Sequence, residues 1–286
     1  AVPYIWKELG TSCRNLPQVH TIVRMIRMIC EIVCPSVLLL GEVVMEPARV
    51  APYFGTPDKP ECHMLYNVTT MCTTWHTVAT ADTALLRRQL DILAGLPQNC
   101  IFQNYLRCHD DIGWGLDYDF LARFGMQEVP HKKYLNDFFT GKTANSFAIG
   151  ELYNDDPRLG DARLCGTTAS LCGIERAGFA GDKAAQEKAV RLDLTLHAFM
   201  LSQSGLPVLY SGDEIGQLND YSYKDDPEKA SDSRYIHRGA FPWALAANRS
   251  IPGTLQNELF PALRRIEGAR RSHSVFVAGV PFHTID

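Results

Sequence analysis

The first forty residues carry two hydrophobic patterns. Between Leu16 and Val33, apolar residues recur every three or four positions, which predicts an amphipathic helix. Pro35 ends this pattern because a proline cannot continue a helix. The segment from Pro35 to Leu40 is largely apolar, which predicts a parallel strand covered on both faces, and it stops abruptly at Gly41-Glu42.

Three further apolar runs predict strands, and helical patterns separate them. The predicted strands are Cys62–Val68, Cys100–Cys108 and Leu206–Tyr210, and the predicted helices are Met71–Leu93, Lys183–Ser204 and Thr254–Arg271. Strands that alternate with helices favour a parallel sheet or a barrel of the α/β class. About four strand and helix units can be counted, which is half of an eight-stranded barrel.

Two stretches lack this periodicity. Residues 112–164 are polar and aromatic, with Gly, Asp, Asn and Pro interspersed, and they predict a long loop or a small inserted subdomain. An acidic stretch from Asn219 to Asp232 lacks the ligand spacing of an EF-hand, so we interpret it as a solvated loop.

Polar residues follow the predicted strands where those strands end. Ligands of parallel sheets and barrels collect at the carboxyl ends of the strands, so we expect these residues to share one rim. They are Glu42, Asn67, His109 with Asp110 and Asp111, and Asp213 with Glu214.

Each of these residues has a functional and a structural interpretation. A carboxyl group at the position of Glu42 would be partly desolvated, which favours the protonated form that a general acid needs; the alternative is a rim salt bridge or a helix cap. Three consecutive titratable groups at His109 to Asp111 are either employed in chemistry or begin a solvated loop. No second histidine at helical spacing completes a metal site there. For Asp213-Glu214 we favour a strand-ending turn, with the acids as caps.

Two arginines lie beside acidic stretches. Arg163 and Arg234 are isolated cations in this part of the sequence, and a surface ion pair is the default interpretation of each.

Composition excludes several classes of function. The 286 residues contain 28 Lys and Arg against 32 Asp and Glu, a net charge of −4, so nucleic acid is not an expected partner. The apolar runs are too short for a membrane span. Nine cysteines, none in a zinc-like spacing, are interpreted as reduced. The sequence contains neither a glycine-rich phosphate loop nor a Gly-x-Ser-x-Gly elbow.

Five segments together resemble a known enzyme family. They are Ile5–Cys13, the His-Asp-Asp-Ile-Gly-Trp string within Cys108–Trp114, Gly160–Arg163, Tyr210–Gly216 and Ser231–Arg234. These motifs resemble the amylosucrase branch of the α-amylase family, glycoside hydrolase family 13, and the similarity runs from Ala1 to about Val275.

The resemblance implies the second half of a (β/α)8 barrel, strands five to eight, with residues 112–164 inserted after the seventh strand. It also implies a retaining mechanism with two carboxyl groups. Glu42 matches the acid/base at the end of the fifth strand. His109 and Asp110 match the pair that grips glucosyl hydroxyls and stabilises the transition state, and Asp111 is the neighbouring acid.

The resemblance assigns roles to the two arginines as well. Arg163 resembles an acceptor-side arginine, and Arg234 resembles the arginine that helps close the pocket floor through an ion pair. The partner of Arg234, the first four strands and a C-terminal β domain would then lie outside these residues.

The sequence departs from the family at two places. The nucleophilic Asp would stand immediately before Ala1, so the chain begins one residue after it and, by itself, is expected to be inactive. Gly41 precedes the acid where amylosucrases often have Ser.

The implied reaction breaks sucrose and passes glucose to an α-glucan acceptor, with no cofactor and no metal, in the cytoplasm. The alternatives are a sucrose hydrolase, an α-amylase, a relative that acts on trehalose or maltose, or a non-catalytic saccharide-binding module. The oligomeric state cannot be inferred from the sequence.

Overall fold

The centre of the structure is a sheet of four parallel strands. The structure is a computed structural model that describes residues 2–45, 47–156 and 160–285. Ala1, where the resemblance begins, and three residues of the 112–164 segment lie outside the described residues.

Eight strands and eleven helices are present in the described residues. The strands are β1 (Leu40–Gly41), β2 (Gly55–Thr56), β3 (Lys59–Pro60), β4 (Met64–Tyr66), β5 (Ile101–Asn104), β6 (Glu151–Tyr153), β7 (Arg163–Cys165) and β8 (Leu206–Pro207). The helices are α1 (Pro17–Val33), α2 (Pro47–Val50), α3 (Val68–Thr80), α4 (Ala84–Ala94), α5 (Tyr118–Leu121), α6 (Glu128–Phe139), α7 (Thr168–Leu171), α8 (Ile174–Ala180), α9 (Lys183–Ser202), α10 (Trp243–Ala246) and α11 (Leu255–Ser272).

The four central strands are neighbours in chain order. The sheet runs β1-β4-β5-β8 with every pair parallel, while β2-β3 and β6-β7 are separate antiparallel pairs. Helices connect the parallel strands, as crossovers of this kind require. This is the arrangement predicted from the four apolar runs.

The predicted element bounds are too long in two respects. Only two to four residues of each predicted strand pair with a neighbour. The helix predicted over Met71–Leu93 is two helices, α3 and α4. Ala81 adopts a left-handed conformation with φ of 54° after α3, and the Asp82 carboxylate accepts a hydrogen bond from the Ala84 N–H at the start of α4.

Gly41 lies in a tightly packed part of the sheet. A Cβ atom at this position would come within 2.7 Å of both Cys62 Sγ and a methyl carbon of Leu65. This close approach gives a physical reason for glycine where amylosucrases often have Ser.

The centre of the sheet is covered and its edges are partly exposed. The register places Gly41, Leu65 and Phe102 side by side, with Leu65 fully buried, and Met64 on the opposite face is also buried. Leu40 and Leu206, which belong to the two edge strands, are 36% and 44% exposed. Apolar side chains therefore remain exposed at both edges of the described sheet.

The 112–164 segment is packed against the main core rather than being an open loop. Its helix α6 contributes Phe139, whose ring meets Trp75 of α3 edge-on at 5.6 Å and stacks on Trp114 at 5.9 Å. The Trp114 indole N–H also donates to the Asn136 side chain at 2.7 Å. Aromatic packing of this kind contributes beyond the area that it buries, so this segment is part of one hydrophobic core with α3.

None of the helices that the structure describes combines the length and the apolar character that a bilayer crossing needs. All nine cysteines are free thiols, in agreement with the interpretation that they are reduced.

Candidate active site

Two asparagines join the strand ends at the rim. Asn67 follows β4 and Asn104 is the last residue of β5, and both are almost fully buried. The Asn67 side-chain amide donates to the Asn104 side-chain carbonyl at 2.8 Å, and the Asn104 amide donates to the Ser204 backbone carbonyl at 2.8 Å. These bonds satisfy buried polar groups and connect β4, β5 and the segment that precedes β8.

The charges of Glu42 and Asp110 raise the pKa of the same two side chains. Burial raises the pKa of the Tyr66 hydroxyl, and the charges of Glu42 and Asp110 raise it further. Burial also raises the pKa of the Cys108 thiol to about 11, and the same two carboxylates add to this effect. Glu42 follows β1 and Asp110 follows β5, so the structure brings both acids to one end of the sheet.

An aromatic pair lies beside these acids. The rings of Tyr66 and Tyr105 meet edge-on at 5.5 Å, and Tyr105 is buried while Tyr66 is half-buried. A partly exposed tyrosine next to two carboxylates offers an apolar ring face and a hydrogen-bonding hydroxyl, which is a suitable surface for a sugar ring.

Two arginines and a histidine lie close to Asp110. Arg238 Nη2 lies 3.4 Å from Asp110 Oδ1, Arg234 Nη1 lies 3.7 Å from the same oxygen, and His109 Nε2 lies 3.6 Å from Oδ2. The side chain of Asp110 is 36% exposed and that of His109 is 64% exposed. Both side chains are therefore accessible to a ligand.

Arg234 has a close partner, Asp232, within this chain, and the further partner expected outside these residues stays a prediction. Arg234 Nη2 and Nε lie 2.7 and 2.8 Å from the two oxygens of Asp232, and the guanidinium lies over the Tyr153 ring at 4.3 Å. The hydrogen bonds from Arg234 lower the pKa of Asp232 despite some burial. Arg234 therefore contacts Asp110 from a position that Asp232 and Tyr153 fix.

Asp111 points away from Asp110 towards a different cation. Its carboxylate lies 3.3 Å from Arg163 Nη1 of β7, and the Asp111 side chain is 7% exposed while that of Arg163 is 45% exposed. The default interpretation of Arg163 and Arg234 as partners in ion pairs therefore matches their contacts. Asp111 and Arg163 form one pair, separate from the cluster around Asp110.

Asp213 corrects another sequence prediction. It does not act as an exposed turn cap but is buried, and its carboxylate accepts hydrogen bonds from the Arg107 guanidinium and from the Thr168 hydroxyl at 3.0 Å. Its neighbour Glu214 does cap the turn, because its carboxylate accepts from the Gly212 N–H at 2.8 Å.

Sequence reasoning missed Arg107, His237 and Arg238, which surround the His109-Asp110 segment. The signal that could have found Arg107 was a charged residue inside a predicted buried strand, Cys100–Cys108. Such a residue needs a partner of opposite charge.

Three neighbouring side chains could offer ligands to a cation. Ligand atoms of Cys108, His109 and Asp110 lie within 4.8 Å of one another. The thiol would have to lose its proton to bind a metal, and burial opposes this by raising the pKa of Cys108 to about 11. The donor set therefore fits a resident metal poorly.

Comparison with known proteins points to one group of enzymes. No family model matches the chain. Glucosylglycerate phosphorylase from Escherichia coli is 26% identical over 277 residues, which cover 96% of this chain and 46% of that protein. Trehalose synthase from Thermus thermophilus is 28% identical over 218 residues, covering 76% of this chain and 18% of that protein. These relatives are α-amylase-family enzymes. The chain thus spans about half the length, or less, of the curated relatives that it matches.

A solved structure agrees on the fold. Sucrose 6F-phosphate phosphorylase from Thermoanaerobacter thermosaccharolyticum superimposes with a TM-score of 0.64 at 19% identity, covering 93% of this chain and 46% of that one. The relatives belong to the α-amylase family that the motifs resemble, and the superposition supports an α/β fold consistent with part of a barrel. The amylosucrase branch and the insertion after a seventh strand remain predictions.

Proposed function

We propose that this chain provides the acid/base half of a retaining α-glucosyl-transferring active site. The observation that carries the proposal is that the charges of Glu42 and Asp110, which follow β1 and β5 of one parallel sheet, both raise the pKa of Tyr66 and of Cys108. Retaining glycoside chemistry requires an acid/base and a nucleophilic carboxylate, and Glu42 is proposed as the acid/base at the carboxyl end of its strand. The α-amylase-family relatives support this class of reaction.

In the proposed first step, a nucleophilic carboxylate attacks the anomeric carbon of the glucosyl unit while Glu42 transfers its proton to the departing oxygen. The glycosidic bond breaks and a glucosyl ester forms. The nucleophile is the Asp that the resemblance predicts immediately before Ala1. In the second step, Glu42 removes a proton from the acceptor hydroxyl, and the acceptor oxygen replaces the ester.

Asp110 and His109 are proposed to bind the glucosyl hydroxyl groups. Arg234 and Arg238 hold the Asp110 carboxylate in place, so that it accepts hydrogen bonds and opposes the positive charge that develops on the sugar ring. Arg163 of β7 and its ion-pair partner Asp111 are proposed to line the acceptor side.

The resemblance of the motifs favours sucrose as donor and an α-glucan as acceptor, as in an amylosucrase. A phosphorylase is the second candidate, because the match to the E. coli glucosylglycerate phosphorylase covers 96% of the chain. In that case a phosphate oxygen would take the glucosyl unit in the second step. The hydrolases and the trehalose- or maltose-acting enzymes differ only in the acceptor or donor. The free cysteines are compatible with the cytoplasmic location that we also propose.

The test uses the complete gene product and its Glu42→Gln variant. Each is incubated with sucrose or glucosylglycerate, with and without inorganic phosphate and a glucan. We expect Glu42→Gln to reduce turnover about 10²–10⁴-fold, the usual contribution of general acid/base catalysis. Glu214→Gln is the matched control because Glu214 lies at the same end of the sheet but caps a turn, and it should retain turnover.

The products distinguish the candidates. Free fructose with linear glucan indicates amylosucrase chemistry, equal glucose and fructose indicate a sucrose hydrolase, and phosphate-dependent glucose 1-phosphate indicates a phosphorylase. Saccharide binding without turnover by the complete protein, or full turnover by Glu42→Gln, would contradict the proposal and favour a binding module.

A further inference from the structure

The guanidinium of Arg107 is a buried junction between two segments of the candidate site. Arg107 is 3% exposed. Its Nη2 and Nε lie 2.7 and 2.8 Å from Asp213 Oδ1, its Nη1 donates to the His237 backbone carbonyl at 3.3 Å, and its plane lies over the Tyr210 ring at 4.4 Å. One side chain thus binds the turn after β8 and the 237–238 segment together.

His237 in turn forms a hydrogen bond with the segment that contains Asp110. Burial, and then the positive charge of Arg107, lower the pKa of His237 to about 3, so its ring is neutral at pH 7. His237 Nδ1 accepts from the Gly166 N–H at 3.1 Å, which leaves the proton on Nε2, and Nε2 donates to the His109 backbone carbonyl at 3.3 Å.

Arg238 completes the connection. Its Nε donates to the same His109 carbonyl at 2.6 Å, and its Nη2 lies 3.4 Å from the Asp110 carboxylate. Residues 107–110 and 237–238 are therefore joined by hydrogen bonds in both directions. Arg107 is the first residue of the 107–110 segment, and its side chain binds the 237–238 segment.

A further hydrogen bond stabilises the ion pair between Arg107 and Asp213. Thr168 donates to the second oxygen of Asp213 at 3.0 Å, so both carboxylate oxygens are occupied. Arg107 and Asp213 have side chains that are each 2% exposed, and a charge so deeply buried costs several kcal/mol unless it is paired. Breaking the pair would therefore displace the groups that it holds.

We propose that Arg107 is a positioning residue that sets the placement of His109 and Asp110 through Asp213 and His237. The proposal deepens the proposed function, since it concerns the same site. A lysine cannot replace Arg107, because one ammonium group cannot bind a carboxylate through two nitrogens, donate to a third acceptor in a fixed plane and stack on a ring.

The first test measures geometry without enzyme activity. The ring signals of His109 and His237 are followed by NMR in this chain and in Arg107→Lys. Arg270→Lys is the matched control, because Arg270 also donates to three backbone carbonyls, those of Leu201, Gln203 and Gly205, but contacts none of the site residues. We expect Arg107→Lys, and not Arg270→Lys, to shift the His109 signals and to remove the slow exchange of the His237 Nε2 proton.

The second test uses the complete gene product. Arg107→Lys should lower kcat on the order of 10²-fold with a smaller change in KM, the expected result of a misplaced catalytic group. Arg270→Lys should leave both unchanged at temperatures where it is folded. If the wild-type protein turns over no α-glucoside, the proposed function fails, but the NMR comparison still decides the role of Arg107.

A second variant covers the case in which Arg107→Lys does not fold. His237→Phe keeps a ring of similar size but removes the bond to the His109 carbonyl, and it should shift the His109 signals as well. Unchanged His109 signals in a folded Arg107→Lys or His237→Phe protein would overturn the proposal.

Discussion

His197 Nδ1 lies 3.0 Å from Asp193 Oδ1, one turn earlier on helix α9, and each of these side chains is only 1% exposed. Burial by itself disfavours a charged imidazole, but the Asp193 carboxylate and then that of Asp213 outweigh it and raise the pKa of His197 to about 9. The helix therefore contains a buried, charged pair behind the candidate site.

This pair predicts a loss of stability at alkaline pH. The pKa of His197 rises from 6.5 to about 9 on folding, so the folded state holds the proton more tightly. The stabilisation of the folded state by this proton is complete below pH 6.5 and disappears as the pH rises through 9. This changes the free energy of unfolding by an amount on the order of 3 kcal/mol. Urea unfolding between pH 6 and 10 measures it. The double variant Asp193→Asn/His197→Gln should remove this slope, whereas the exposed pair on the same helix, Glu187→Gln/Arg191→Gln, should keep it. Identical slopes in all three proteins would refute the assignment.

His76 predicts the opposite dependence at acid pH. Its ring is 2% exposed, neither ring nitrogen has a hydrogen-bond partner, and the His131 ring lies 5.1 Å away. Burial and then His131 lower the pKa of His76 from 6.5 to about 4. Stability is therefore lost as the pH falls from 6.5 through 4. His76→Phe should flatten this acid slope in thermal unfolding, and the exposed His273→Gln should not. A slope that survives in His76→Phe would assign the acid sensitivity to other groups.

Removing one partner of the buried ion pair should be costly. Asp213→Asn leaves the Arg107 charge buried and uncompensated, and we expect a loss of about 3–5 kcal/mol in the free energy of unfolding. The surface pair Lys133 and Asp137 on α6 provides the comparison, because Lys133→Gln should cost less than about 1 kcal/mol. Equal effects in urea unfolding would show that the Arg107–Asp213 pair is effectively solvated.

Gly41 predicts a steric effect. Gly41→Ser would place Cβ 2.7 Å from Cys62 Sγ and from Leu65, and overpacking of this kind costs about 1–3 kcal/mol. Gly268→Ser in α11 is the control, because no atom lies within 4 Å of the added Cβ. Differential scanning calorimetry of both variants checks the prediction. A Gly41→Ser protein as stable as the control would show that Cys62 and Leu65 move aside freely.

The four central strands could be located from sequence because each lies in an apolar run. The positions of Glu42 and Asn67 directly after β1 and β4 follow from the same pattern, whereas Asp110 lies beyond the end of β5 at Asn104. Arg107 and Asp213 could not be paired in this way, since they are 106 residues apart and nothing local shows that both are buried. Arg234 is different, because its partner Asp232 stands two residues earlier and was available to local reasoning.

The pairing of β5 with β8 has a consequence for how the sheet forms. β4 and β5 are joined through helices α3 and α4, but β8 reaches β5 only after about a hundred further residues, and its register covers two pairs, Gln103 with Leu206 and Asn104 with Pro207. Closing the longer loop costs about 1 kcal/mol more in chain entropy than closing the shorter one. The two paired positions of β5 and β8 offset only a small part of this cost. The β8 edge should therefore join the sheet last during folding and be the first part of the sheet to open. The amide of Val208 donates to the Asn104 carbonyl across this edge. We expect this amide to exchange its hydrogen faster than the amides of β5.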